Sequence, residues 1–156
     1  MTDPLSVTFG VVGTAAVALS AAQKLKSFID GIEGAPSAID ALSKDLFALS
    51  SVLHTLKDSV SNPNLINVHA QARVLRLLEE PLQNCVAVVN LISEKLRPFV
   101  KPAAKVNKSK WRGFVWTYRE KEFNDLKMLL LSYKSSLEIA ISAATLYVTT
   151  YCHCEP

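Results

Sequence analysis

The apolar residues of this 156-residue chain recur at alternating spacings of three and four along several long segments. Such spacing places apolar side chains along one side of an α-helix, whereas a half-buried strand requires alternation at every second residue. The chain has only five glycines, and no segment is dominated by β-branched residues, which also disfavours strands. The pattern therefore predicts an all-α fold.

Start and stop signals divide the chain into four predicted helices. Asp3 can cap the first helix and Pro4 suits its first position, while Gly31 is a stop signal. Ser37 can cap the second helix, which the run Ser61-Asn62-Pro63-Asn64 ends. The four predicted helices cover, approximately, residues 4–32, 37–61, 66–100 and 111–151.

Three of these helices carry one apolar stripe each, which is typical of helices that pack one side against a shared core. The stripe of the second helix consists of Ile39, Leu42, Leu46, Leu49, Leu53, Leu56 and Val60. The stripe of the third consists of Leu75, Leu78, Leu82, Cys85, Val89, Ile92, Leu96 and Phe99. The stripe of the fourth consists of Trp116, Phe123, Leu126, Leu130, Tyr133, Leu137, Ile141, Ala144 and Val148.

Four long helices with short connections predict an up-down helical bundle, and residues 1–156 are enough for one such domain. Pro81 lies inside the third helix. Because proline lacks the backbone N–H and its ring crowds the preceding turn, we expect a kink near Pro81.

The first predicted helix carries no charge from Pro4 to Gln23, a length close to that required to span a bilayer. Its many small and hydroxyl residues make insertion into lipid poorly favourable for that length. The helix is therefore either buried on most sides in the bundle or stored as a membrane-active segment. The residues expected to enter the membrane are Leu5, Val7, Phe9, Gly10, Val11, Val12, Gly13, Thr14, Val17, Ala18, Leu19 and Ala22.

Basic residues concentrate between Glu94 and Glu120, where the chain has no acidic residue and several aromatic ones. This segment is a binding site for anionic lipid or nucleic acid, or a solvated loop beside aromatic core residues. A net charge of +3 does not by itself favour nucleic acid, and no nucleic-acid-binding signature accompanies the segment. The expected anionic-lipid patch is Lys101, Lys105, Lys108, Lys110 and Arg112.

No group of residues indicates catalysis, a cofactor or a metal. His54 and His69 lie in separate segments, and no glycine-rich phosphate loop is present. Cys152-His153-Cys154 lacks the second ligand pair that a structural zinc site requires. Three cysteines, with Cys85 inside an apolar stripe, do not form a disulfide framework and predict a reducing compartment. We therefore expect a cytoplasmic protein that is not an enzyme.

Three further motifs follow one another along the chain. Asp3-Pro4-Leu5-Ser6-Val7 opens the small-residue apolar helix, and Leu77-Leu78-Glu79-Glu80-Pro81-Leu82-Gln83-Asn84-Cys85 lies in the third helix. Lys110-Trp111-Arg112, Trp116 and Arg119-Glu120-Lys121 form a basic-tryptophan segment at the start of the last predicted helix. In this order the motifs resemble those of HeLo-like domains, the N-terminal domains of fungal STAND-type (NLR-like) immune receptors, over essentially the whole chain.

This resemblance implies a helical bundle with a role in programmed cell death and fungal innate immunity. In such proteins the N-terminal helix is thought to leave the bundle and insert into the plasma membrane on oligomerisation. It implies a pore-forming domain that relocates from the cytoplasm to that membrane. Its expected partners are anionic lipids, further copies of itself and an NLR-like or amyloid-motif receptor, and no nucleic acid.

Two functions therefore stay open at this point. In the first, the N-terminal helix permeabilises the membrane, and several copies associate through the small residues Gly10, Thr14, Ala18 and Ala22. In the second, the domain is a non-lytic oligomerisation or adaptor module of the same signalling pathway and never enters lipid.

Overall fold

The computed structural model describes residues 4–31, 37–61, 68–97 and 120–152, and these stretches are helical apart from single residues at their ends. Helix α1 spans Pro4–Asp30, α2 spans Ser37–Val60, α3 spans Val68–Leu96 and α4 spans Glu120–Cys152. No strand occurs in these four stretches. The prediction of an all-α bundle is confirmed. Residues 111–119, where the fourth helix was expected to begin, lie outside the described residues.

The predicted apolar stripes form the core of the bundle. Every residue of the α2 stripe is buried, and so is every residue of the α3 stripe except Phe99, which lies outside the described residues. In α4, Leu126, Leu130 and Leu137 are buried, and Phe123, Tyr133 and Ile141 pack against the core while partly exposed. Burying a leucine side chain contributes about 1.5–3 kcal/mol, so these stripes supply most of the stabilisation of the bundle.

Helices α2 and α3 lie between α1 and α4. Helix α1 packs along both α2 and α3, whereas α4 packs mainly along α3 and less extensively along α2. Among the described residues, no comparable interface joins α1 to α4. The two least charged helical segments of the chain therefore lie on opposite sides of the bundle.

Polar contacts join the helices near one end of the bundle. The Ser43 hydroxyl of α2 donates to the Asp30 carboxylate of α1. The Lys127 ammonium of α4 lies 3.6 Å from the Asp45 carboxylate of α2. Lys95 near the end of α3 pairs with Glu122 near the start of α4, so these two ends are adjacent.

Helix α3 continues through Pro81 from Val68 to Leu96. Leu78 and Leu82, which flank the proline, are both fully buried. The kink near Pro81 and the up-down order of the four helices stay predictions.

Candidate functional site

Helix α1 has two different sides. Its inner side is a buried line of residues at spacings of four and three that packs on α2 and α3: Val11, Ala15, Ala18, Ala22, Leu25 and Ile29. Its outer side is exposed and includes Phe9 and Val17, whose exposed fractions are 74% and 55%. An apolar helix therefore contributes to the core and also presents apolar surface to solvent.

The predicted membrane-insertion residues are divided between these two sides. Phe9, Gly10, Gly13 and Val17 are exposed, and Val7, Val12 and Thr14 are half-buried. Val11, Ala18, Leu19 and Ala22 are buried. Leu5 lies in α1, but its side chain is not among those described.

The small residues at every fourth position of α1 do not share one side. Four residues advance an α-helix by about 400°, so each member is rotated about 40° from the one before. Gly10 is exposed and Thr14 is half-buried, whereas Ala18 and Ala22 are buried. The stripe thus winds from the outer side into the core, where Ala18 and Ala22 permit close approach of the neighbouring helices.

An open apolar groove of about 450 Å³ lies between the outer side of α1 and helix α3. Its lining residues, called here the α1 groove, are Phe9, Gly10, Gly13, Thr14, Val17, Gln83 and Val86. Apart from the adjoining residues and the nearby backbone of α1 itself, no atom lies within 4 Å of the position that a Cβ would occupy at Gly10 or Gly13. The two glycines therefore leave open space, which apolar side chains from outside could fill.

The polar groups of the α1 groove are few. The Thr14 hydroxyl donates to the Gly10 carbonyl at 2.9 Å, so this donor is already used within the helix. Gln83 supplies the other polar side chain of the lining. Gln83 and Val86 were not predicted as site residues. Each lies directly after a buried residue of the α3 stripe, and the spacing of the sequence does not distinguish it from other residues outside that stripe.

Among the described residues, one helical segment is long and apolar enough to cross a membrane. It is Ser6–Asp30, whose apolar 18-residue window has a mean hydropathy of 1.4. The core helix of a soluble protein can pass the same test, but such a helix is mostly buried, and here 28% of the apolar window is buried. The outer side of α1 thus remains accessible to a membrane or to another protein.

Helix α4 also has an exposed apolar side, opposite the buried line of Leu126, Leu130 and Leu137. The large exposed residues on this side, called here the α4 ridge, are Met128, Ile139 and Leu146. Ser132, Ser135 and Ser142 lie between them, which completes spacings of four and three along the helix. No charged residue occurs in α4 after Glu138.

Two titratable groups among the described residues have a shifted pKa, and each shift has a structural cause. Burial raises the pKa of the Cys85 thiol to about 12. Hydrogen bonds from Lys26 and Ser43 lower the pKa of the exposed Asp30 carboxyl. No group of three or more His, Cys, Asp or Glu side chains within the described stretches is placed to hold a metal ion. The predicted anionic-lipid residues Lys101, Lys105, Lys108, Lys110 and Arg112 lie outside the described residues, so that patch stays a prediction.

Comparison with known protein families identifies a match that covers nearly the whole chain. The sequence model described as "Pigment biosynthesis cluster protein PigL N-terminal" matches residues 2–153. No curated protein and no solved structure matches the chain significantly. Because the match covers nearly the whole chain, the chain belongs to the PigL N-terminal family, a fungal-type domain family.

Proposed function

We propose that this member of the PigL N-terminal family is a HeLo-like cell-death execution domain that targets the plasma membrane. Its helix α1 inserts into or permeabilises that membrane when several copies assemble. The observation that carries the proposal is the two-sided character of α1. The segment from Pro4 to Gln23 is uncharged and of nearly membrane-spanning length, and only its inner side is covered by the bundle.

Release of α1 must overcome the burial of its inner side. Val11, Leu25 and Ile29 each contribute about 1.5–3 kcal/mol, and the buried alanines contribute less. The sum is on the order of 10 kcal/mol, which a single folded copy retains. Oligomerisation can offset it only by binding the released state more tightly than the closed bundle. The proposal therefore requires a trigger that gathers several copies.

A membrane and a receptor supply that trigger in this proposal. The basic residues between Lys101 and Arg112 hold the cytoplasmic domain at an anionic leaflet, each contributing about 1 kcal/mol near the surface. An NLR-like or amyloid-motif receptor of the fungal cell-death pathway brings the copies together. The domain acts by association and insertion, and we assign it neither a reaction nor a cofactor.

Dye release from liposomes tests the insertion step. Gly13→Asp with Val17→Asp places two charges on the exposed outer side of α1 and leaves the buried line intact. Phe47→Asp with Ser51→Asp is the matched control, since these α2 positions are also exposed and also four residues apart. Ala18 is unsuitable because it is buried, so a charge there would destabilise the bundle itself.

We expect wild type and the α2 control to release dye from anionic vesicles. The α1 variant should lose at least about tenfold in release rate, because each charge at a bilayer centre costs about 2.5–3.5 kcal/mol. Circular dichroism must show the wild-type helical content in both variants. An α1 variant that is folded and leaks at the wild-type rate would exclude insertion of α1.

The α4 ridge favours a second candidate function, a non-lytic oligomerisation or adaptor module. Ile139 is 70% exposed on a surface that α1 insertion does not use. Exposed apolar faces of this kind are typical of protein–protein contact sites. This candidate predicts association of copies that rises with concentration and no dye release from vesicles of any composition.

A further inference from the structure

We infer that the α1 groove of one copy receives the α4 ridge of a second copy, so that the domain associates head to tail. The inference rests on the oligomerisation step of the proposed function and not on the insertion step. It concerns the gathering of closed bundles, in which α1 keeps its place in the core, and not the later state that binds released α1 helices.

The two surfaces have opposite shapes and the same polarity. The α1 groove is open above Gly10 and Gly13, where a side chain from outside meets no Cβ. In the α4 ridge, Ile139 and Leu146, about two turns further along, protrude above the serine that lies between them. Large side chains that insert between small ones reproduce the knobs-into-holes packing of helix pairs.

The two surfaces also lie at the same height of the bundle. Asp30 contacts Ser43 and Lys127 contacts Asp45, and Ser43 and Asp45 are two residues apart in α2, so Asp30 and Lys127 mark nearly the same level of the bundle. Val17 lies about 13 residues before Asp30 and Ile139 about 12 residues after Lys127. At about 1.5 Å per residue, both are about 18–20 Å from that level.

The direction of each helix completes the match. In the predicted up-down order, α1 traced back from Asp30 follows α2 toward its end, and α4 traced forward from Glu122 follows α3 toward its start. Both therefore lead toward the end of the bundle where α2 ends and α3 begins. A second copy displaced sideways, without rotation, places its Ile139 opposite Gly13 and Val17 of the first.

Because the α1 groove and the α4 ridge lie on opposite sides of the bundle, this contact can add further copies at both ends. Because α2 and α3 lie between α1 and α4, each copy has the α1 groove on one side and the α4 ridge on the other. A contact between two different surfaces continues from copy to copy and closes only as a ring. Head-to-tail association therefore gathers many α1 helices along one side of an assembly.

The contact area sets the strength of this association. The outer side of α1 from Ser6 to Ser20 is about 22 Å long and about 10 Å wide, so it covers on the order of 200–300 Å². A stable complex buries about 800 Å² on each partner. The copies therefore remain separate when dilute and associate when a receptor or a membrane concentrates them. Salt should change the association little, because neither surface carries a charge.

Disulfide cross-linking in the absence of lipid tests the inference. The background is a Cys152→Ser, Cys154→Ser variant that keeps Cys85, which is buried and therefore protected from oxidation. One preparation carries Gly13→Cys and the other Ala143→Cys; both positions are exposed. Gly13→Cys mixed with Ser51→Cys is the control pair, since Ser51 lies on α2, away from both surfaces.

On mild oxidation of concentrated mixtures, we expect the Gly13→Cys and Ala143→Cys preparations to form a mixed dimer. Its yield should exceed that of either homodimer and of the control pair by about tenfold, or about 1.4 kcal/mol. Ile139→Lys should remove this excess, whereas Phe47→Lys, an exposed apolar residue of α2 changed in the same way, should leave it unchanged. Mass spectrometry of the linked peptides identifies the two positions.

Two results would overturn the inference. Predominant Gly13→Cys homodimers would show that two α1 faces meet each other, and a mixed yield equal to the control pair would show that the surfaces do not meet. Leakage that persists without the mixed dimer would refute head-to-tail association and leave insertion standing. A mixed dimer without leakage would support head-to-tail association and contradict insertion of α1.

Discussion

Adjacent residues in α3 meet opposite environments. Leu77 is 69% exposed, whereas Leu78 is fully buried between the other helices. One residue rotates the side chain by about 100° around the helix axis, which is enough to move a leucine from the core to solvent. Both leucines belong to the motif that resembles HeLo-like domains, and packing constrains only the second of them.

Leu78→Ala should therefore destabilise the domain by about 2–5 kcal/mol, because it removes buried methyl groups and leaves a cavity. Leu77→Ala is the matched control and should change the free energy of unfolding by no more than about 0.5 kcal/mol. Urea denaturation of both variants measures the difference. Equal effects of the two substitutions would contradict the described orientation of α3.

Cys85 provides a pH-dependent prediction at the same scale. Desolvation by burial raises the pKa of its thiol to about 12, above the ordinary value of about 8.5 in an unfolded chain. A raised folded pKa gives a stability contribution that is complete below the unfolded value and is lost as the pH rises toward 12. Between pH 8 and pH 10.5, wild type should therefore lose more stability than Cys85→Ala.

The measurement is the urea midpoint of both proteins at the two pH values. Cys85→Ala also leaves a small cavity, but this cost is the same at each pH and cancels in the comparison. Parallel loss of stability in the two proteins would show that Cys85 ionises in the folded state as readily as in the unfolded one.

The four helices differ in how far their sequences determine their orientation. In α2 the stripe from Ile39 to Val60 is the buried side in every position, because the opposite side is mostly polar, with Phe47 as an exposed exception. In α1 the residues around the helix are nearly all uncharged, so periodicity does not distinguish Val17, which is exposed, from Ala18, which is buried. Which side of α1 is buried is determined by where α2 and α3 pack against it.

The same ambiguity explains the α4 ridge. The spacing of Leu126, Leu130 and Leu137 predicted the inner side of α4, and these residues are buried. Ile139 belongs to an equally regular line on the opposite side, and a spacing argument treats both lines alike. The structure identifies the ridge as the exposed line, because the inner line of α4 is the one that is buried and α4 packs mainly along α3.

Adjacent charges in α1 test its orientation. Ala18→Asp buries a carboxylate without a partner and should lower the free energy of unfolding by about 3 kcal/mol or more. Val17→Asp puts the same group on the exposed outer side and should cost less than about 1 kcal/mol, mainly from the lower helix propensity of aspartate. Thermal unfolding followed by circular dichroism compares the two. A larger loss from Val17→Asp would mean that α1 is rotated from its described position.

At the scale of the whole molecule, the sequence specifies which side of each helix is buried more clearly than which helices are neighbours. An apolar stripe fits any other apolar stripe, so the stripes of α2, α3 and α4 are compatible with several orders around a bundle. The described order places α2 and α3 between α1 and α4. It thereby separates the uncharged surfaces of α1 and α4.

This order also predicts an uneven distribution of stability. Helix α2 has buried residues along its whole length, from Ile39 to Val60, whereas the last buried residue among those described in α4 is Leu137. Local opening is easiest where few apolar contacts hold an element, so the backbone amides of residues 139–146 should exchange with deuterium before those of residues 46–56. Amide exchange of the dilute domain, followed by mass spectrometry, should show this order of exchange.

If the domain then associates head to tail at high concentration, exchange should slow at residues 139–146 and around Gly13, and exchange in α2 should be unaffected. Slowing confined to α2, or early exchange of α2 in the dilute domain, would contradict the arrangement of the bundle from which both surfaces are derived.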